Sequence, residues 1–163
     1  MTRKPTTVAA GKKEVLTVLE ATRVLVGVAA RSIAPVAEDI TLPQYRALVL
    51  LWSRGEQRPI DLALALDASS SAITRMCDRL VRKGLISRVP RQGIDRREAR
   101  VALTGDGRRL ITRVMGKRQR EITSILGRLD RHQRELVVEG MSLFVSVAAP
   151  TTDAVATQES WTL

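Results

Sequence analysis

Apolar positions recur at helical spacing over residues 13–33, through Val15, Leu16, Val18, Leu19, Thr22, Leu25, Val26 and Ala29, which predicts a first helix. Pro35 ends it or marks the turn that follows. Thr41-Leu42-Pro43-Gln44 has capping-box spacing with a proline in the first turn, so a second helix runs to about Ser53 on Tyr45, Leu48, Val49 and Trp52. Arg54-Gly55 stops it. Residues 59–66 read as a short third helix. Asp67-Ala68-Ser69-Ser70-Ser71 then supplies a turn and cap candidates. A fourth helix over about 70–83 buries Ile73, Met76, Cys77 and Leu80 and ends at Gly84. A short helix, a tight turn and a second helix of this size make a helix-turn-helix.

Two strand-like runs, 85–90 and 99–103, flank a polar, glycine-bearing stretch over 91–98, so the pair reads as a hairpin. Placed directly after a helix-turn-helix, a hairpin is a wing. Thr104 is positioned to cap the next helix, with Asp106 near its positive end. A long amphipathic helix follows over 108–129 on Leu110, Ile111, Val114, Met115, Ile122, Ile125, Leu126 and Leu129. A last helix over about 131–148 carries Leu136, Val137, Met141, Phe144 and Val145. Residues 1–12 read as a flexible basic N-terminus, and 149–163 as a flexible tail despite Trp161. The fold class is mostly α with a small β-hairpin. A single domain over 13–148 contains a winged helix-turn-helix over 41–104, flanked by helices over 13–34 and 108–148.

Composition narrows the chemistry. At 163 residues and 44% hydrophobic, the chain suits one ordered domain. The longest apolar run, from Val24 to Ala30, is far below the ~20 residues of a membrane span. The basic start is not followed by an apolar secretory segment, so no membrane partner and a cytoplasmic location are expected. The one cysteine, Cys77, makes no internal disulfide, and with the one histidine, His132, it cannot build a metal site. No Gly-rich phosphate loop or nucleophile elbow is present. The expectation is therefore no enzyme, no cofactor and no metal.

The net charge of +10 favours a polyanionic partner, and its distribution says where. Residues 1–33 carry +4, 34–68 carry −2, 69–100 carry +6, 104–135 carry +5 and 136–163 carry −3. Of the 27 cations 22 are arginine, whose planar fork suits phosphates and guanine edges. Over 104–135 the charge reads most simply as solvated helix faces. Over 69–100 it coincides with the fourth helix and the wing.

Here the residues resemble a known family. Leu42-Pro43-Gln44-Tyr45-Arg46-Ala47-Leu48 is similar to the start of its second helix, and the run from Ser71 to Arg88 to its recognition helix and first wing strand. Asp95-Arg96-Arg97-Glu98-Ala99-Arg100-Val101-Ala102-Leu103-Thr104-Gly105-Asp106-Gly107 resembles its wing, with the aspartate–any–arginine tip and the Leu-Thr-x-x-Gly lead into the next helix. The family is MarR, the winged helix-turn-helix transcriptional regulators. The likeness follows element order over roughly 12–148 and is most specific over 71–107. It implies a homodimer whose dimerisation region is the first helix with the last two, bound to double-stranded DNA. The apolar surplus of the terminal helices is compatible with that, although packing on their own winged module would also cover it.

In such a protein the fourth helix enters the major groove, N-terminal end first. Ser69, Ser70, Ser71 and Thr74 can then reach phosphates or bases, though one of the serines is needed as a cap. Arg75 is the candidate for a bidentate guanine contact, and Arg79, one turn on, for a phosphate. Arg82 and Lys83 read as solvated. By resemblance, Arg97 is the wing's minor-groove arginine and Asp95 steadies the wing turn and an arginine beside it. Arg91 and Arg96 are phosphate partners, and Arg88 a weaker one.

Peroxide-sensing relatives carry their reactive cysteine near the N-terminus, where this chain has none, so Cys77 reads as a core residue. Relatives respond to small aromatic or phenolic effectors held between the dimerisation helices and the winged module. Ile33, Val36, Tyr45, Val49, Trp52 and Met115 could line such a cleft, and core packing explains them equally well. The reading is a dimeric, ligand-responsive repressor on a palindromic operator. The alternatives are an architectural protein coating DNA with little sequence preference, or a module whose wing binds protein.

Overall fold

A computed structural model describes residues 9–36, 38–89 and 100–148. Helix α1 (Lys12–Ile33) runs through a short 3-10 turn (Ala34–Val36) towards α2 (Leu42–Arg54), followed by α3 (Pro59–Leu66) and α4 (Ser70–Arg82). The antiparallel strands β1 (Ile86–Val89) and β2 (Arg100–Leu103) pair Ile86 with Leu103 and Val89 with Arg100. Two long helices close the chain, α5 (Gly105–Leu126) and α6 (Arg131–Ala148). The expected class, mostly helical with one small hairpin, is the class observed. Of the expected site residues, Arg91, Asp95, Arg96 and Arg97 lie outside the described residues, as do both terminal segments over 1–8 and 149–163.

The capping signals act as the sequence indicates. The Thr41 hydroxyl accepts from the Gln44 N–H, and the Gln44 side chain accepts from the Thr41 N–H, completing the box at α2. Ser69 caps α4 by accepting from the Ala72 N–H. The turn between α3 and α4 passes through Asp67 at φ +50°, ψ +53°, a left-handed conformation that a short polar residue tolerates. Gly84 leaves α4 at φ +69°.

Three boundaries differ from expectation. Lys12 lies inside α1, where Glu14 accepts from the Gly11 N–H ahead of the first turn. Helix α5 begins at Gly105, directly after its Thr104 cap, three residues before the expected start at 108. It ends at Leu126, because Gly127 to Leu129 tighten into a turn and Asp130 opens a reciprocal cap with Gln133 for α6.

Helix α2 is the centre of the winged module, burying Tyr45, Ala47, Leu48, Val49, Leu50 and Leu51. Around it close Leu62 of α3, the Ile73–Met76–Cys77–Leu80 face of α4, Ile86 and Val101 of the hairpin, and Ile111, Val114 and Met115 of α5. Gln57 adds a bridge outside the hairpin, exchanging both backbone hydrogen bonds with Val101 at 3.1 and 2.9 Å. Nothing in the sequence signals that one-residue strand. The terminal helices contrast with this core. Helix α1 buries only Val28 and Ser32, against α5, and α6 buries no residue at all. Among the described residues no helix is long and apolar enough to cross a membrane, and no group of three His, Cys, Asp or Glu could hold a metal.

One contact fixes how α5 meets the hairpin. A Cβ on Gly107 would overlap the Leu85 carbonyl oxygen and lie 2.9 Å from Leu103 Cδ2. Gly107→Ala is expected to cost about 3 kcal/mol, the upper end of overpacking, read as a lower urea midpoint at unchanged m-value. A change below ~0.5 kcal/mol would show that this approach is slack.

Candidate nucleic-acid interface

Helix α4 divides cleanly into two faces. Ile73, Met76, Cys77 and Leu80 fill the core, and on the other side Ser71, Thr74, Arg75, Asp78, Arg79 and Arg82 are exposed. Burial of one face against α2, α3 and the hairpin leaves the polar face no freedom to rotate inward. The Arg75 and Arg79 side chains have no hydrogen bond or ion pair within the described residues and project into solvent one turn apart.

The hydroxyls at the start of α4 have divided roles. Ser69 is the cap, and its oxygen lies 3.3 Å from the Ser71 hydroxyl. The Thr74 hydroxyl donates to the Ser70 carbonyl at 2.9 Å. Ser70 is exposed at the tip, with its side chain uncommitted. A cluster of hydroxyls and backbone N–H groups at a helix N-terminus, flanked by two free guanidinium groups, is chemically suited to phosphate oxygens and base edges.

Arg88 stands differently from the other predicted contacts. Its guanidinium donates to Asp78 on α4, tying β1 to the exposed face of that helix. The pair is about half-exposed at both ends, so its contribution is chiefly orientation. Sequence reasoning missed it because helix periodicity cannot place a strand residue ten positions on against a helix face. The structure brings Ser69, Ser70, Ser71, Thr74, Arg75 and Arg79 onto one surface and sets Arg88 at its edge, engaged with its own chain.

Burial pushes the Cys77 thiol up, partly offset by the Arg88 guanidinium and reinforced by the Asp78 carboxylate. The thiol is 3% exposed in the core, as expected of a packing residue.

The residues named for an effector cleft are divided among cavities. Tyr45, Val49, Met115 and Arg118 line one of about 180 Å³. Trp52, Met115, Arg118 and Ile122 line another of about 280 Å³. Val36 lines a separate cavity, and Ile33 packs against the core. Arg118 donates from Nε and Nη2 to the buried Ser32 hydroxyl at 3.3 and 3.2 Å and has no carboxylate partner among the described residues. Burial raises the Tyr45 phenol, with the Arg118 guanidinium offsetting part of that rise. Neither Arg118 nor Ser32 was singled out from sequence, because the pairing joins α1 to α5 across 86 positions.

Comparison with known proteins agrees with this geometry. The sequence model of the MarR family matches residues 40–98. The crystal structure of RV1404 from Mycobacterium tuberculosis is similar at a TM-score of 0.78 and 37% identity, over 87% of this chain and 97% of that one. The multiple antibiotic resistance protein MarR of Salmonella typhimurium is 41% identical over 69 residues, 42% of this chain and 47% of its own length. The HTH-type transcriptional regulator YfiV of Bacillus subtilis is 30% identical over 105 residues, 64% of this chain and 65% of its own. The matched segments thus span less than two thirds of these two relatives' lengths and nearly all of the RV1404 chain.

The division of hydroxyl roles is testable without DNA. Ser69→Ala is expected to lower folding stability by about 1 kcal/mol through loss of the cap, and Ser70→Ala to leave it within ~0.5 kcal/mol. Equal losses in urea unfolding would contradict the assignment. Cys77 should react with an alkylating agent at neutral pH only as fast as the chain opens. Rapid labelling of folded protein would contradict its raised, buried thiol.

Proposed function

The chain belongs to the MarR family, and on that premise we propose that it is a dimeric transcriptional repressor that binds a palindromic operator. The observation that carries the reading is the exposed face of α4: Arg75 and Arg79, unpaired among the described residues, with the exposed Ser70 at the helix start, backed by a packed face that fixes their direction. In this reading α4 occupies the major groove. Arg75 reads a guanine, and Arg79 with Ser69, Ser70, Ser71 and Thr74 contacts backbone or base edges. The wing supplies Arg97 to the minor groove, with Arg91 and Arg96 on phosphates and Asp95 steadying the turn. Arg88 supports the wing through Asp78.

The dimer reading is supported by the terminal helices. Val15, Leu19, Leu25 and Val26 of α1 are 46–60% exposed, and Leu136, Leu143, Phe144, Val145 and Val147 of α6 are 54–71% exposed. Apolar surface on this scale is buried at low cost by a two-fold copy of the same helices. Residues 13–34 and 108–148 are then the dimerisation region, and 41–104 the DNA-binding module. A small aromatic or phenolic effector, held in the cavities around Tyr45, Met115 and Arg118, would bias the spacing of the two α4 helices in a cytoplasmic protein. Coating of DNA without sequence preference is the competing reading.

Selection of bound sequences from a random DNA pool separates the two. A regulator enriches a palindrome with half-sites about one helical turn apart, whereas an architectural protein enriches nothing. Arg75→Ala is expected to cost ~1–3 kcal/mol at one base pair and relax preference there, while Arg97→Ala weakens binding evenly across sequences. Phe144→Asp on α6 should give a monomer in sedimentation, with the winged module still folded and operator affinity sharply reduced. A dimer that survives this substitution would argue against the assigned interface.

A further inference from the structure

Resting on the DNA-binding reading of α4, we propose that Asp78 is a specificity-determining residue: its open carboxylate oxygen accepts from a cytosine amino group in the major groove, while Arg88 holds the carboxylate in place. Ser71, Arg75, Asp78 and Arg82 are spaced four, three and four residues apart, so they stand in one row along α4. All four are exposed, and the row runs opposite the buried Ile73 and Leu80. The one acid of this helix therefore sits in the middle of its exposed face, between two arginines.

The bonding at Asp78 is selective. Arg75 and Arg82 lie within side-chain reach, one turn to either side, yet neither pairs with it among the described residues. Its partner is Arg88, which donates from Nη2 to Oδ1. Oδ2 accepts no hydrogen bond among the described residues, so one oxygen is committed and the other is open. Arg88 is itself anchored, because it faces Val101 across the hairpin, and Val101 is buried and bridged to Gln57. A rigid strand thus fixes the direction of the open oxygen before any DNA arrives, which lowers the ordering cost of using it.

Folding has little need of this pair, since both side chains are about half exposed. For phosphate binding it is a net loss: it occupies one cation and places one anion on the face presented to a polyanion. Reading bases reverses that balance. Cytosine presents an amino donor at N4 in the major groove, and a carboxylate is its matching acceptor. Guanine and thymine present only acceptors there, and adenine sets an acceptor beside its donor, so all three are disfavoured. Three residues along α4 is about 4.5 Å, close to the ~3.4 Å between stacked base pairs, which puts the cytosine one step from the guanine assigned to Arg75. Arg88 offsets the phosphate repulsion that a lone carboxylate would meet. The pair therefore gives up affinity for any DNA and gains discrimination between sequences.

The full-length protein, Asp78→Asn and Arg88→Gln are each used to select from a random duplex pool. Their affinities for the enriched duplex and for an alternating A·T duplex are then measured across salt concentrations. Both substitutions are at exposed positions, and urea midpoints close to the wild type's check that the fold is kept. Asp78→Asn is expected to lose cytosine preference at one position per half-site by at least about fivefold, with the other positions unchanged. It should also bind the A·T duplex more tightly, with a salt slope steeper by about one, because Arg88 is released to a phosphate. Arg88→Gln should weaken binding to every duplex and still prefer cytosine. A pair that merely tethers the hairpin predicts weaker binding by Asp78→Asn throughout, with an unchanged motif. That motif retained in Asp78→Asn, its weaker binding to the A·T duplex, or a different preferred base in Arg88→Gln would overturn the proposal and leave the regulator reading standing. A wild-type protein that enriches no sequence would overturn both.

Discussion

The joint at which the first turn of α5 rests on the α4–β1 turn carries more of this structure than its size suggests. Thr104 holds it with three hydrogen bonds: its hydroxyl donates to the Gly84 carbonyl and accepts from the Gly107 N–H, while its own N–H donates to the Leu85 carbonyl. Gly107 lets the helix come this close because it has no Cβ. Through these few atoms the end of α4, the base of the hairpin and the start of α5 are held in one geometry. The joint adds to the packed face of α4, whose Ile73, Met76, Cys77 and Leu80 share one core with Ile111, Val114 and Met115 of α5.

How much of this was legible in the sequence depended on the range of the interaction. Local signals were sufficient where the deciding contact lies within four residues. The Thr41–Gln44 box, the Ser69 cap, the exit at Gly84, the limits of α3 and the start of α6 all follow from short-range hydrogen bonding that residue type dictates. The burial of Ile73, Met76, Cys77 and Leu80 followed from period alone. The end of α5 was misplaced for a related reason: apolar period continues to Leu129, but the reciprocal Asp130–Gln133 cap starts a new helix first, and a cap overrides a pattern of side chains.

Contacts between distant segments were not legible. Arg88 reads as a weaker phosphate contact in sequence and is paired with Asp78 in the fold. The Gln57–Val101 bridge, the Ser32–Arg118 contact and the Arg31–Glu121 ion pair join segments 44 to 90 positions apart. The exposed face of α4 was partly legible because it is the polar complement of a buried helical face. The cavities were not, because they arise where three elements fail to fill space.

Helix α5 is where these separate features become one mechanical problem. Its first turn is fastened to the wing, its middle packs Ile111, Val114 and Met115 into the core, cavities lie on both of its sides, and its far end leads to an α6 that the chain itself leaves uncovered. If a second copy covers α1 and α6, the distance between two recognition helices is set along α5 and not within either winged module. A ligand beside α5 then needs no contact with DNA to change that distance; it needs only a different affinity for the two inclinations of the helix. On the proposed palindromic operator, Arg75 and Arg79 of α4 would magnify the effect, because two half-sites would have to be met together and a displacement that spoils one contact would lose the effective concentration gained from the other.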